Sequence, residues 1–254
     1  MIIIDQKKVD SIPFLEVVKK DLTEEALPVV IYFHGFTSSK EQNLAQAYLL
    51  AENNIRVILP DSLHHGDRET IDNPEKVQFD FWKIVSTNVK ELNTLYEWLQ
   101  NNNLIKDQRI GIAGTSMGGI TVSAALTQYD WIKVAGIMMG TAKLEDMARY
   151  LIDQVKERGV KLPFSDEQIE TQISQLESID LSKQIDKLNK RPLLIWHGDQ
   201  DKVVPYQFSI QFVKQLKSNN YPKEKFRFIT EKGREHKVSR IAMHQLKDWF
   251  IEHL

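Results

Sequence analysis

The sequence predicts an α/β fold: a mostly parallel, twisted sheet of about eight strands with helices on both faces and a helical insertion. Short apolar runs alternate with longer stretches of helical period, the pattern of successive βαβ units. Several of those runs are apolar at consecutive positions, as in Val29-Val30-Ile31-Tyr32-Phe33 and Leu193-Leu194-Ile195-Trp196, so both faces of the strand need cover. Composition agrees, since 42% of the 254 residues are hydrophobic, enough for a continuous core and too many for a disordered chain.

Residues 2–9 and 12–18, with Asp10-Ser11 between them, read as an antiparallel hairpin on the sheet edge. The remaining strands are expected at 29–33, 55–59, 109–114, 134–139, 192–196 and 225–230. Phe81, Val85, Val89, Leu92, Leu95, Tyr96 and Leu99 recur at intervals of three and four, which predicts one long amphipathic helix. Ile241, Ala242, Leu246, Trp249 and Phe250 do the same for a terminal helix. Between Thr141 and Lys190 the strand signals stop. Leu144, Met147, Ala148, Leu151 and Val155, then Ile169, Ile173 and Leu176, predict two helices, the second opened by the capping box Ser165-Asp166-Glu167-Gln168. A stretch of roughly 50 residues far exceeds the usual connection of about 2–6. Residues 141–190 are therefore expected to form a cap or lid within a single domain spanning 1–254, with a plain crossover as the alternative.

Charge and cysteine usage remove several function classes. Lys and Arg number 33 against 35 Asp and Glu, a formal net charge of −2 with no basic block, so neither nucleic acid nor an anionic membrane is an expected partner. The absence of cysteine excludes disulfides, thiolate-bound metals and a thiol nucleophile. The start, Met1 to Lys8, meets charge too early for a signal peptide, and no apolar run is long enough for a bilayer, so the expected location is cytoplasmic.

The strand at 109–114 runs into Gly114-Thr115-Ser116-Met117-Gly118 and then a helical stretch. This G-x-S-x-G between strand and helix is a nucleophile elbow, in which a strained turn exposes the Ser116 hydroxyl and only glycine fits two positions either side. A serine nucleophile needs a base, and the base needs an orienting acid. The later strands are followed by His197-Gly-Asp199-Gln-Asp201 and by Glu231-Lys-Gly-Arg-Glu-His236. Ser116, Asp201 and His236 thus fall in the chain order Ser, Asp, His, each just past a strand end.

With these motifs the chain resembles the α/β-hydrolase superfamily, near the small dienelactone-hydrolase-like and prolyl-oligopeptidase-like serine esterases. The resemblance rests on His34-Gly-Phe36, Pro60-Asp61, His65-Gly66, the elbow, His197-Gly-x-x-Asp201-x-x-Val204-Pro205 and His236. It implies the α/β-hydrolase fold and an oxyanion hole made by the backbone N–H groups of Phe36 and Met117. It also selects Asp201 over Asp199 as the acid, leaving Asp199 to cap the turn, with Glu145 or Asp146 as a variant acid position. His244 and His253, on the terminal helix, are the alternatives to His236 as base. The chain departs from the family in two ways: dienelactone hydrolases proper use a cysteine, which is absent here, and selection of oligopeptides by a preceding propeller is not expected.

His64, His65, Asp61 and Asp67 form no set with metal-ligand spacing and are expected to line the site entrance, so no metal is expected. His34 is assigned to ordering the oxyanion loop, and His34 and His65 are the substrate-binding candidates. Gly111-x-x-Gly114 belongs to the elbow strand, no dinucleotide or phosphate loop is present, and no cofactor is expected. The expected activity is hydrolysis of small-molecule carboxylic esters with short-to-medium acyl chains, through an acyl-enzyme, by a monomer or homodimer. Acyl transfer or perhydrolysis, peptidase or amidase activity, and a non-catalytic binding protein are the alternatives.

Overall fold

Alternation along the apolar runs decides how the strands sit, because successive side chains point to opposite faces. In β3 (Leu27–Phe33), Val29, Ile31 and Phe33 join one core cluster while Val30 and Tyr32 join the other. The computed structural model describes residues 1–69, 77–160 and 162–254. Among the described residues, β1 (Ile2–Val9), β2 (Ile12–Lys19), β3, β4 (Arg56–Pro60), β5 (Ile105–Thr115), β6 (Val134–Met138), β7 (Leu193–Gly198) and β8 (Phe226–Glu231) form one sheet. Its order is β1-β2-β4-β3-β5-β6-β7-β8. β1 and β2 form the expected antiparallel edge hairpin, β2 pairs antiparallel with β4, and β3 to β8 are parallel.

The elbow strand starts at Ile105, four residues ahead of the predicted position. Lys106, Asp107 and Gln108 are exposed there, and the pairing with β3 shifts register between Leu27 and Val29. An irregular, polar strand start carries no apolar alternation, which is why its sequence reads as a loop.

Helices cover both faces. α1 (Leu44–Ala51) and the terminal α7 (Arg240–His253) bury Ala47, Leu50, Leu246, Trp249 and Phe250 on one side. α2 (Phe81–Asn101), α3 (Met117–Gln128) and α6 (Tyr206–Ser218) lie on the other. Between β6 and β7 come α4 (Leu144–Glu157) and α5 (Asp166–Gln175), and both halves of the Ser165–Gln168 capping box are made. No sequence expectation covers α1 or α6. Among the described residues, no helix is long and apolar enough to cross a membrane.

Candidate active site

β5 ends at Thr115 and α3 begins at Met117, so Ser116 alone makes the turn. Its backbone sits at φ +56° and ψ −115°, a conformation costing on the order of 1–3 kcal/mol that only its surroundings can maintain. The Ser116 N–H donates to the Met138 carbonyl at 2.8 Å, and the Ser116 carbonyl accepts from Ile120 N–H at 2.9 Å. The flanking glycines are obligatory. A Cβ on Gly114 would meet the Gly118 backbone at 2.3 Å, and one on Gly118 would meet the Phe33 carbonyl oxygen at 2.2 Å.

The parallel strands bring three loops together above this turn. His236 Nε2 lies 2.8 Å from Ser116 Oγ, and His236 Nδ1 lies 2.7 Å from Asp201 Oδ2. The carboxylate accepts, so Nδ1 carries the ring proton and Nε2 presents its lone pair to the serine hydroxyl. Asp201 Oδ1 accepts from the amides of Val203 and Val204 at 2.9 and 3.0 Å. Its Oδ2 also takes a bond from Nε2 of the fully buried His197 at 3.1 Å. Burial alone would push the Asp201 pKa up, but the hydrogen bonds from His197 and His236 outweigh it and hold the carboxyl well below the usual range. The sequence signal for His197 was its motif, which names no role for the ring.

The other candidate acids and bases are engaged elsewhere. Asp199 Oδ1 accepts from Gly233 N–H at 2.7 Å, tying the loops after β7 and β8 together. Glu145 pairs with Lys183 and Asp146 with Lys143. His253 packs on Trp249, and His244 lies with it on α7, which packs into the other core cluster from α3.

The loop after β3 runs beside the nucleophile, since a Cβ on Gly35 would stand 3.5 Å from Ser116 Cβ. His34 is buried, accepts from Ser62 N–H at 3.0 Å through Nε2 and donates from Nδ1 to the Gly35 carbonyl at 2.7 Å. Burial lowers its pKa to about 4. His65 likewise accepts from Thr37 N–H at 3.1 Å and donates to the Leu63 carbonyl at 2.8 Å. Both imidazoles therefore spend both nitrogens on loop backbone. Lys40, which sequence reasoning missed, closes the loop: its Nζ meets Asp61 at 2.6 Å and Asp67 at 2.9 Å, and its N–H donates to Asp61 at 2.9 Å. The Asp61 oxygens are thus taken by Lys40 and backbone amides, and among the described residues no three His, Asp or Glu side chains group as metal ligands.

Ser116 opens into a cavity of about 260 Å³. Phe36, Phe81 and Trp82 form one wall, and Leu151 and Val155 of α4 with Ile173 of α5 form another. Arg158 is the one charged residue in the described lining. Trp82 was not anticipated. Its signal is its spacing, three residues before Val85 and seven before Val89, which puts it on the apolar stripe of α2.

The prolyl oligopeptidase family model matches residues 84–254. The Bacillus subtilis (strain 168) protein named "Putative esterase YitV" is 42% identical over 255 residues, with both chains fully covered. Esterase YjfP of Escherichia coli (strain K12) is 28% identical over 258 residues, again with full coverage of both. The crystal structure of TT1662 from Thermus thermophilus superposes with a TM-score of 0.76 at 17% identity, over 99% of this chain and 98% of that one. The chain belongs to the prolyl oligopeptidase family of hydrolases, built on the α/β-hydrolase fold.

Proposed function

We propose that this protein is a serine esterase that cleaves small-molecule carboxylic esters of short-to-medium acyl chain. One observation carries the reading: Ser116 Oγ, in the wall of an apolar cavity, meets His236 Nε2 at 2.8 Å while His236 Nδ1 meets Asp201 at 2.7 Å. His236 takes the hydroxyl proton as Ser116 Oγ bonds to the ester carbonyl carbon. Asp201 stabilises the resulting imidazolium. The Phe36 and Met117 amides hold the oxyanion, each donor contributing about 3 kcal/mol. The carbon–oxygen bond to the alcohol then breaks, and the leaving alkoxide takes its proton from His236. Water attacks the acyl-enzyme with His236 again as base, which releases the acid and restores Ser116.

Residues 141–190 act as a cap in this reading, because α4 and α5 supply the apolar wall that receives the acyl chain. Besides Ser116, Arg158 and the glutamines at 78, 154 and 172 are the polar side chains of the described lining, which is otherwise hydrophobic. The lack of cysteine suits a cytoplasmic setting.

Hydrolysis of p-nitrophenyl esters of increasing acyl length, compared with Ser116→Ala, tests the reading. The expected result is a peak at short-to-medium chains and a loss of about 10⁶-fold in kcat in the variant. An unreactive native protein, or a variant that keeps its activity, removes the esterase assignment. The family match favours amide cleavage as the second reading, and a p-nitroanilide turned over faster than the matched ester would establish it.

A further inference from the structure

We propose that His65 is a positioning residue for the oxyanion-stabilising amide of Phe36, holding the loop after β3 in a strained conformation. The inference rests on the esterase reading and extends it to a side chain that is absent from the described lining of the Ser116 cavity and bonds to loop backbone. Thr37, next in the chain to Phe36, has φ +60°. A β-branched residue there is an outlier, because its Cβ crowds the backbone carbonyl. Such a conformation persists only where neighbouring groups over-determine it.

The Ser38 N–H donates to the Gly35 carbonyl at 3.2 Å and closes a turn through Phe36 and Thr37, and His65 is the side chain that holds this turn from outside. Its Nε2 accepts from Thr37 N–H at 3.1 Å, and the bond from Nδ1 to the Leu63 carbonyl at 2.8 Å fixes the tautomer that leaves Nε2 as acceptor. The ring packs edge-on against the Phe36 ring at 5.3 Å and tilts against His34 at 5.2 Å. His65 therefore grips the peptide that follows Phe36 together with the Phe36 side chain. The peptide that precedes Phe36 is gripped from its other end, because the Gly35 carbonyl accepts from His34 Nδ1 at 2.7 Å. A planar trans peptide points its N–H opposite to its carbonyl, so the Phe36 N–H is turned away from His34. With both flanking peptides pinned, Phe36 has little backbone freedom left. Lys40 and Asp61 anchor the far end of the same loop to the strand-end loop that carries His65. Burial holds the His65 ring below the usual imidazole range, so the acceptor lone pair is present at neutral pH. The other groups acting on the ring's charge are His34, His64, Asp61 and Glu69.

Steady-state kinetics on p-nitrophenyl butyrate test this with His65→Leu, His65→Gln, Thr37→Gly and the double variant His65→Leu/Thr37→Gly. His65→Leu is expected to lower kcat about tenfold to a hundredfold, with KM within about twofold of the native value. His65→Gln should keep more of kcat, since its carboxamide oxygen can accept the Thr37 N–H. The double variant should regain most of the loss relative to Thr37→Gly, because glycine holds a positive φ without strain. Should His65→Leu fail to fold, His65→Asn, whose shorter side chain loses the contact, takes its place. A loss carried by KM would make His65 a substrate contact and overturn the proposal. So would a Gln variant as impaired as Leu, or a double variant no better than His65→Leu. An inactive native protein would overturn the esterase reading and this inference with it, whereas an active one with unaffected His65 variants overturns this inference alone.

Discussion

Asp201 accepts two hydrogen bonds on each oxygen, from the Val203 and Val204 amides on one and from His197 and His236 on the other. Under the proposed mechanism an asparagine there would lose the charge that stabilises the imidazolium and would turn an NH₂ toward His236, reversing the tautomer. Asp201→Asn is expected to lower kcat about 10⁴-fold, measured on the best p-nitrophenyl ester with the circular dichroism unchanged. A loss under about tenfold would mean that the carboxylate is dispensable. The sequence singles out Ser116, His236 and Asp201 because each belongs to a short motif at a strand end, and the structure brings the three within hydrogen-bond distance. The sequence does not single out Lys40, and it carries His197 only as part of a motif that gives the ring no role. Lys40 lies nearest to Asp61 in space but 21 residues from it in sequence, and nothing local marks a lysine that will be buried.

At the scale of elements, the edge hairpin is joined to the parallel sheet through a buried ion pair. Glu16 of β2 and Arg56 of β4 are both fully buried and hydrogen-bonded to each other, and Arg56 also donates to the Thr23 and Glu25 carbonyls at 2.8 and 2.9 Å. Arg56→Met would leave the Glu16 charge buried with Lys7 as its remaining cation, at a cost of about 3–5 kcal/mol. Glu16→Met/Arg56→Met should be far milder, because no uncompensated charge remains. Urea unfolding of both variants checks this, and a single variant within about 1 kcal/mol of native would refute it. The hairpin itself was legible from its alternation and turn, whereas α1 was not. Its sequence, Leu44-Ala-Gln-Ala-Tyr-Leu-Leu-Ala51, is apolar nearly all round and lacks the one-sided stripe that marks α2 and α7.

For the whole molecule, acid should loosen the fold through the loops that support the site. The buried His34 has its pKa lowered to about 4, against about 6.5 for an unperturbed imidazole, and His65 shifts the same way. Below about pH 6.5 the unfolded chain binds a proton at His34 that the folded chain refuses. The stabilisation is therefore complete above about pH 6.5 and is lost as pH falls toward 4, by about 3 kcal/mol for His34 alone. Urea midpoints measured between pH 7 and pH 4 should fall accordingly, and His34→Gln should flatten that dependence. A native protein whose midpoint stays level across the range would show that these rings are not held neutral.

The sequence by itself determined the class of sheet, its edge hairpin, the position of the elbow and the order of its partners. These follow from periodicity and from short motifs, which are local properties of the chain. Tertiary structure alone decided that Asp201 serves two histidines, that Lys40 and Arg56 are buried, and that α2, α4 and α5 share one apolar cavity with Ser116. Each of these depends on residues far apart in sequence meeting in space. A buried charge or a cavity wall is defined by what lies opposite it, and local patterning carries no record of that partner.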